Sequence, residues 1–178
     1  MTTFLFVRHG EPDYSSVGEW SQTPMGTNFA GLTEEGVAQI KKSCVALKEY
    51  PVELIISSPY TRALQSAAIM AGELHVDVVV ERNLHEWQVD LTYSLTDSND
   101  LLELCHERDR MNGEYPVDET RCWESTELVR CRVLDCLKKY LDRKCVVVAG
   151  HAIMMQAILD ISDPLEYGEI RVMEVADK

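Results

Sequence analysis

Arg8 and His9 are the first residues of this chain whose types and placement could do chemistry. A guanidinium holds planar oxyanions through a fork of N–H donors, and a neutral imidazole can act as a nucleophile, so the pair points to an anion site with a nucleophile inside it. Three later places share the character of polar residues set directly after apolar runs: Ser57-Ser58 with Arg62, the segment 81–86 ending in Glu86, and Gly150-His151. Arg62 falls where a helix should start, a position that favours anions because helix-end N–H groups point outward there.

The elements that must position these residues read from pattern. Phe4, Leu5, Phe6 and Val7 form an apolar run without alternation, as expected of a strand buried on both faces. Leu54 to Ile56, residues 76–80 and residues 146–149 give three more strands, and 170–175 reads as a last edge strand. Thr33 is the expected N-cap of a helix running to about Tyr50, with Val37, Ile40, Cys44 and Leu47 on its apolar face. A second helix follows Pro59, a third covers 124–142 with Leu128, Cys131, Leu134, Leu137 and Leu141 on one face, and an apolar helix covers 152–159. In a mostly parallel sheet the strand ends lie along one rim, where open α/β sheets bind ligands, so the polar residues are expected to converge. Residues 13–31 read as a long loop near that rim, with Trp20, Gln22, Thr23 and Asn28 as pocket-wall candidates. Residues 88–121 are acidic and poorer in aliphatics apart from a helix carrying Leu101, Leu102 and Leu104, and are read as a cap inserted over the site.

The stretch RHGEP, followed in order by LTEEG at 32–36, SSPYTRALQSA at 57–67 and GHAIMMQAI at 150–158, resembles the signature set of the histidine phosphatase superfamily, the phosphoglycerate-mutase-like enzymes. The resemblance implies an α/β fold, a three-layer α/β/α sandwich with a mostly parallel sheet, as one domain over 1–178. It implies that His9 attacks phosphorus and becomes a phosphohistidine, that Arg8, Arg62 and His151 hold the phosphoryl oxygens, and that no metal or other cofactor is needed. Glu86, in NLHEW, matches the acid that protonates the leaving oxygen, although Asp90 stands where many relatives have glycine. In another branch the acid follows the second histidine, where this chain has Ala152, which favours Glu86 by exclusion. Glu124 is read as a helix-start residue and Glu11 as structural, while His75, His85 and His106 match nothing in the signature.

The activity implied is hydrolysis of a small phosphomonoester. Mutases of the family are longer and carry Ser and Asn after RHGE, where this chain has Pro12, Asp13 and Tyr14. The remaining alternatives are such a mutase and an inactive phosphate-binding regulatory module. The net charge of -13 argues against nucleic acid or an anionic membrane as partner. No run approaches the roughly 20 apolar residues of a bilayer span, and MTTFLFVRHG has no basic n-region, so a cytoplasmic location is expected. The six cysteines, scattered without a C-x-x-C pair, are expected to be reduced, buried and apolar in role. The sequence names neither the substrate nor the oligomeric state.

Overall fold

The computed structural model describes residues 1–95 and 98–176, apart from the side chains of Ser21, Gln22, Pro24 and Ser98. In chain order the elements are β1 (Thr2–Arg8), β2 (Pro12–Asp13), a 3₁₀ segment (Tyr14–Gln22), α1 (Pro24–Thr27), β3 (Gly31–Leu32), α2 (Glu34–Leu47), β4 (Leu54–Ser57), α3 (Thr61–Leu74) and β5 (Val78–Val80). They continue with α4 (Ser98–Arg110), α5 (Thr126–Leu137), β6 (Cys145–Gly150), α6 (Ala152–Leu159) and β7 (Ile170–Val175).

The main sheet has the order β5-β4-β6-β1-β7. All its neighbours pair in parallel except β7, which runs antiparallel to β1 at the edge. Alternate residues of each central strand feed opposite faces. Phe4, Phe6, Ile56, Val146 and Val148 pack with Val129, Val133, Met154 and Met155 of α5 and α6. Leu5, Val7, Ile55 and Val147 pack with Ile40, Cys44, Leu47, Ala67 and Met70 of α2 and α3. Burial on both faces is why these runs show no alternation, and the result is the expected three-layer α/β arrangement. The crossovers β1-α2-β4 and β4-α3-β5 use one face and the return through α5 to β6 uses the other, which brings β6 in between β4 and β1. That reversal places the site.

Local chemistry explains most boundaries. The Thr33 side chain accepts from Gly36 N–H, with Glu34 and Glu35 in the first turn of α2, as expected. Three expectations need correction. The buried face of α5 is Val129, Val133, Cys136 and Leu137, while Leu128 and Leu134 are exposed, because β-branched valines fit against the sheet and the leucine stripe lies about one position round. β5 is an exposed edge strand of three residues rather than five. Of the cysteines, all free, only Cys44, Cys136 and Cys145 are buried; Cys131 is exposed and donates to Glu127 Oε1 at 3.1 Å.

The 13–31 loop is closed at its base by pairing of Pro12 with Leu32 and of Asp13 with Gly31. Trp20 is 62% exposed and packs on Phe29, so it is no pocket wall. The Gln22 side chain lies outside the described residues. No helix among the described residues is long and apolar enough to cross a membrane.

Candidate active site

The register of the central strands assembles the site. Val7 and Ser57 both lie opposite Ala149, and Arg8 lies opposite Gly150, so His9, Ser58 and His151 leave three adjacent strands at the same level. His9 and His151 come together with ring centroids 5.1 Å apart. Gly10 is required here for close approach: a Cβ on it would lie 2.3 Å from the Gly36 carbonyl oxygen, and a Cβ on Gly36 would lie 2.4 Å from the Glu11 oxygen. The glycines of RHGEP and LTEEG therefore pack backbone on backbone and dock α2 beside the His9 turn.

His9 is buried, and its Nδ1 lies 2.7 Å from its neighbour's carbonyl, Gly10 O. Donation of Nδ1–H to that oxygen leaves the lone pair on Nε2, where Arg62 Nε donates at 3.1 Å. Burial first, and the Arg62 charge second, push the His9 pKa down to about 3. The ring is thus neutral at physiological pH, with Nε2 as its nucleophilic atom. His151 is fully buried and also held well below the ordinary histidine value, by burial and then by Arg62. Its Nε2 lies 2.7 Å from Ser58 Oγ, while its Nδ1 is buried with no hydrogen-bond partner among the described residues. A Ser58 hydroxyl donating to Nε2 puts the ring proton on Nδ1, as a donor for an oxyanion.

Lowered histidine values have a cost in stability. Because the folded-state pKa lies below the unfolded one, acid protonates the unfolded chain first, and stability falls as pH drops from about 6.5 toward 3. The slope is up to about 1.4 kcal/mol per pH unit for each such histidine. Urea unfolding midpoints at pH 7 and pH 5 should show this fall, and a shallower one in His9→Gln. An NMR titration of His9 near 6.5 would contradict it.

Arg8 is stacked 4.0 Å over the Tyr167 ring and donates to Leu165 O, with its Nε buried and without a partner among the described residues. Tyr167 in turn lies 5.7 Å from the His9 ring. The start of α3 differs from expectation. Thr61 N–H is taken by Asn28 O at 3.0 Å, so the helix offers the site the Arg62 side chain more than open amides. Arg62 is anchored by a bond from Nη1 to Thr27 O at 3.0 Å.

Glu86 sits at the start of α6, whose N-cap is His151. Its Oε1 accepts from Met154 N and Trp87 N, both at 2.9 Å, and its Oε2 from Ile153 N at 3.2 Å. The carboxylate therefore uses the dipole-favoured end of the helix that carries His151. Glu124 is placed behind the site, buried and forked onto Arg132 at 2.6 and 3.0 Å. Arg132 also donates to Asn83 O at 2.6 Å and Glu86 O at 3.4 Å, fixing the segment that carries Glu86. Removing Glu124 leaves the mostly buried Arg132 guanidinium without its counter-charge, held only by carbonyls. Glu124→Ala should cost about 3–5 kcal/mol, a fall in Tm of roughly 6–20 °C for a chain this size, readable by thermal unfolding.

A cavity of about 610 Å³ opens from Arg62 and Glu86 and is lined further by Thr23, Asn28, Tyr60 and Leu101. Among the described residues no cluster of three or more His, Cys, Asp or Glu could hold a metal ion. Glu11 accepts from Thr33 Oγ1 at 2.8 Å, at the N-cap of α2. Sequence reasoning passed over Tyr60, Tyr167 and His85. Tyr60 packs edge-on to His151 at 5.2 Å, and His85 lies 6.3 Å from Tyr60. Burial, and then Arg132, lower the His85 pKa. The signal for Tyr60 lay inside SSPYTRA, next to Arg62; Tyr167 gave none, since it reaches Arg8 only through the turn before β7.

Among solved structures, that of Bacillus stearothermophilus YhfR matches with a TM-score of 0.75 at 19% identity, covering 99% of this chain and 92% of that one. A mycobacterial glucosyl-3-phosphoglycerate phosphatase matches with a TM-score of 0.71 at 16% identity, covering 98% of this chain and 90% of that one. A 2,3-bisphosphoglycerate-dependent phosphoglycerate mutase of Thermoplasma acidophilum is 35% identical over 86 residues, 48% of this chain and 42% of that protein. The chain spans less than half the length of the curated relatives it matches. The family model described as the histidine phosphatase superfamily (branch 1) matches residues 4–177, and the chain belongs to that superfamily.

Proposed function

We propose that this protein hydrolyses a small phosphomonoester through a phosphohistidine on His9. The observation that carries the reading is the His9 ring: neutral, with Nδ1 committed to Gly10 O and Nε2 turned to Arg62. In the first step Nε2 attacks phosphorus, the ester P–O bond breaks, and Glu86 protonates the departing oxygen. In the second, water attacks the phosphohistidine and returns a proton to Glu86. Arg62 must leave Nε2 for a phosphoryl oxygen before attack, and Arg8 and the His151 Nδ1–H stabilise the other oxygens. To act as an acid, Glu86 has to swing off its amide partners at the start of α6.

Residues 88–121 act as a cap on the single domain, since Leu101, Leu102 and Cys105 of α4 wall the cavity. Unbridged cysteines fit a reducing cytoplasmic setting, and the acidic surface fits a small-molecule partner rather than nucleic acid or membrane. The mutase reading draws on the Thermoplasma relative; Pro12, Asp13 and Tyr14 after RHGE favour hydrolysis.

Two measurements on one panel of phosphomonoesters test this. Release of inorganic phosphate should exceed phosphoryl transfer to an added alcohol or phosphoglycerate, with the opposite result supporting the mutase. Activity should persist in excess EDTA, because two guanidiniums supply the positive charge and the neutral His151 ring adds an N–H donor. Loss in chelator with recovery on adding magnesium or manganese would point to a metal mechanism instead.

A further inference from the structure

We propose that the leaving group of the substrate is an uncharged apolar or aromatic body, so that the substrate carries one phosphoryl group and no second anion. This rests on the hydrolase reading of the same site. The cavity that opens from Arg62 and Glu86 continues into a second lobe of about 550 Å³, and the two share Thr23, Asn28, Tyr60, Gln88 and Val89. Arg62, which reaches His9 Nε2, and Glu86 on the wall of the first lobe join the space to the phosphoryl site and make it the seat of the group esterified to phosphate.

Its walls do not suit an anion. The first lobe is walled by Tyr60, Trp87, Val89, Leu101, Leu102 and Cys105, and among the described residues its single cation is Arg62, which the phosphoryl group requires. The second lobe adds Met25, Pro59, Tyr93 and Leu95. Among the described residues its one permanent cation is Arg82, which is exposed, while His85 on the same wall is held toward its neutral form by burial and Arg132. No lysine lines either lobe among the described residues. A carboxylate or second phosphate in the first lobe would face Glu86 without a counter-charge, inside a molecule of net charge -13.

Several polar groups on the walls are already engaged within the protein. Asp90 is buried and turned inward: Oδ1 accepts from Thr92 N, and Oδ2 from Ser94 N and Leu95 N, each within 2.9 Å. Gln88 Nε2 donates to Tyr60 Oη at 2.5 Å, which ties the floor of the lobes together. What remains open to a ligand is mainly ring faces and aliphatic side chains, the usual lining of a site for an apolar body.

The test compares 2-phenylethyl phosphate, glycerol 3-phosphate and 3-phosphoglycerate, whose leaving groups are all alkoxides. Burying a phenyl ring should raise kcat/KM about 10- to 100-fold for phenylethyl phosphate over glycerol 3-phosphate, with 3-phosphoglycerate slowest. Leu102 is 55% exposed on the lobe wall, so its substitution is tolerable to the fold. Leu102→Glu should bring the phenylethyl-to-glycerol ratio toward one, and Leu102→Ala should lower it by a smaller factor. Hydrolysis of all three with an anionic or glycerol preference would overturn the inference and leave the hydrolase standing. Hydrolysis of none, with no phosphohistidine formed, would remove the hydrolase reading and the inference with it.

Discussion

Replacing His9 with alanine should lower kcat by on the order of 10⁴-fold or more, since removal of a nucleophile abolishes the covalent route rather than weakening it. The expectation follows from three linked facts. The register of β1, β4 and β6 fixes where His9 leaves the sheet. The Gly10 carbonyl fixes its tautomer. Burial and Arg62 keep it unprotonated. The loss should appear in kcat with every substrate, whatever the leaving group. Circular dichroism and the urea midpoint should show a folded variant, because the Gly10–Gly36 backbone contact that docks α2 beside the turn does not use the imidazole. A variant retaining a tenth or more of wild-type kcat would exclude His9 as the nucleophile.

Glu86 should show a loss that depends on the leaving group. Without a proton donor, departure of an alkoxide should slow by about 10²- to 10⁴-fold, whereas nitrophenoxide leaves readily unprotonated. Glu86→Gln should therefore damage phosphorylation by an alkyl phosphate much more than phosphorylation by nitrophenyl phosphate. Single-turnover phosphorylation of His9 is the measurement to use, because Glu86 can also activate water in the second step and level the steady-state rates. Its bonds to Ile153 N and Met154 N add a structural cost shared by both substrates, so the ratio between them carries the meaning. Equal losses would make Glu86 a helix-capping residue and direct attention to the other carboxylates of the cap.

The sheet and the rim were legible in the sequence because the central strands are buried on both faces, and each ends in a residue that is costly to place there. Phe4 to His9 and Val146 to His151 both follow that rule, and parallel pairing aligns them. What escaped was contact made through long-range geometry. The Arg132–Glu124 pair joins a helix interior to a loop, and its partners Asn83 and Glu86 lie far off in sequence. Tyr167 reaches Arg8 because β7 returns antiparallel beside β1, a register set by the whole sheet. The helix face of α5 was misread because leucine and valine are equally apolar on a helical wheel, and only the sheet surface decides between them. Trp20 was misplaced for a related reason: an aromatic residue in a loop over a rim can pack outward on another ring as well as inward.

The covalent intermediate is the most direct test of the account. Enzyme mixed with a ³²P-labelled phosphomonoester and quenched in alkali during turnover should retain label on the peptide containing His9, and the same sample quenched in acid should lose it, since a phosphoramidate is acid-labile and alkali-stable. His9→Ala should show no label under either quench. Label that survives acid, or that persists in His9→Ala, would contradict the phosphohistidine mechanism.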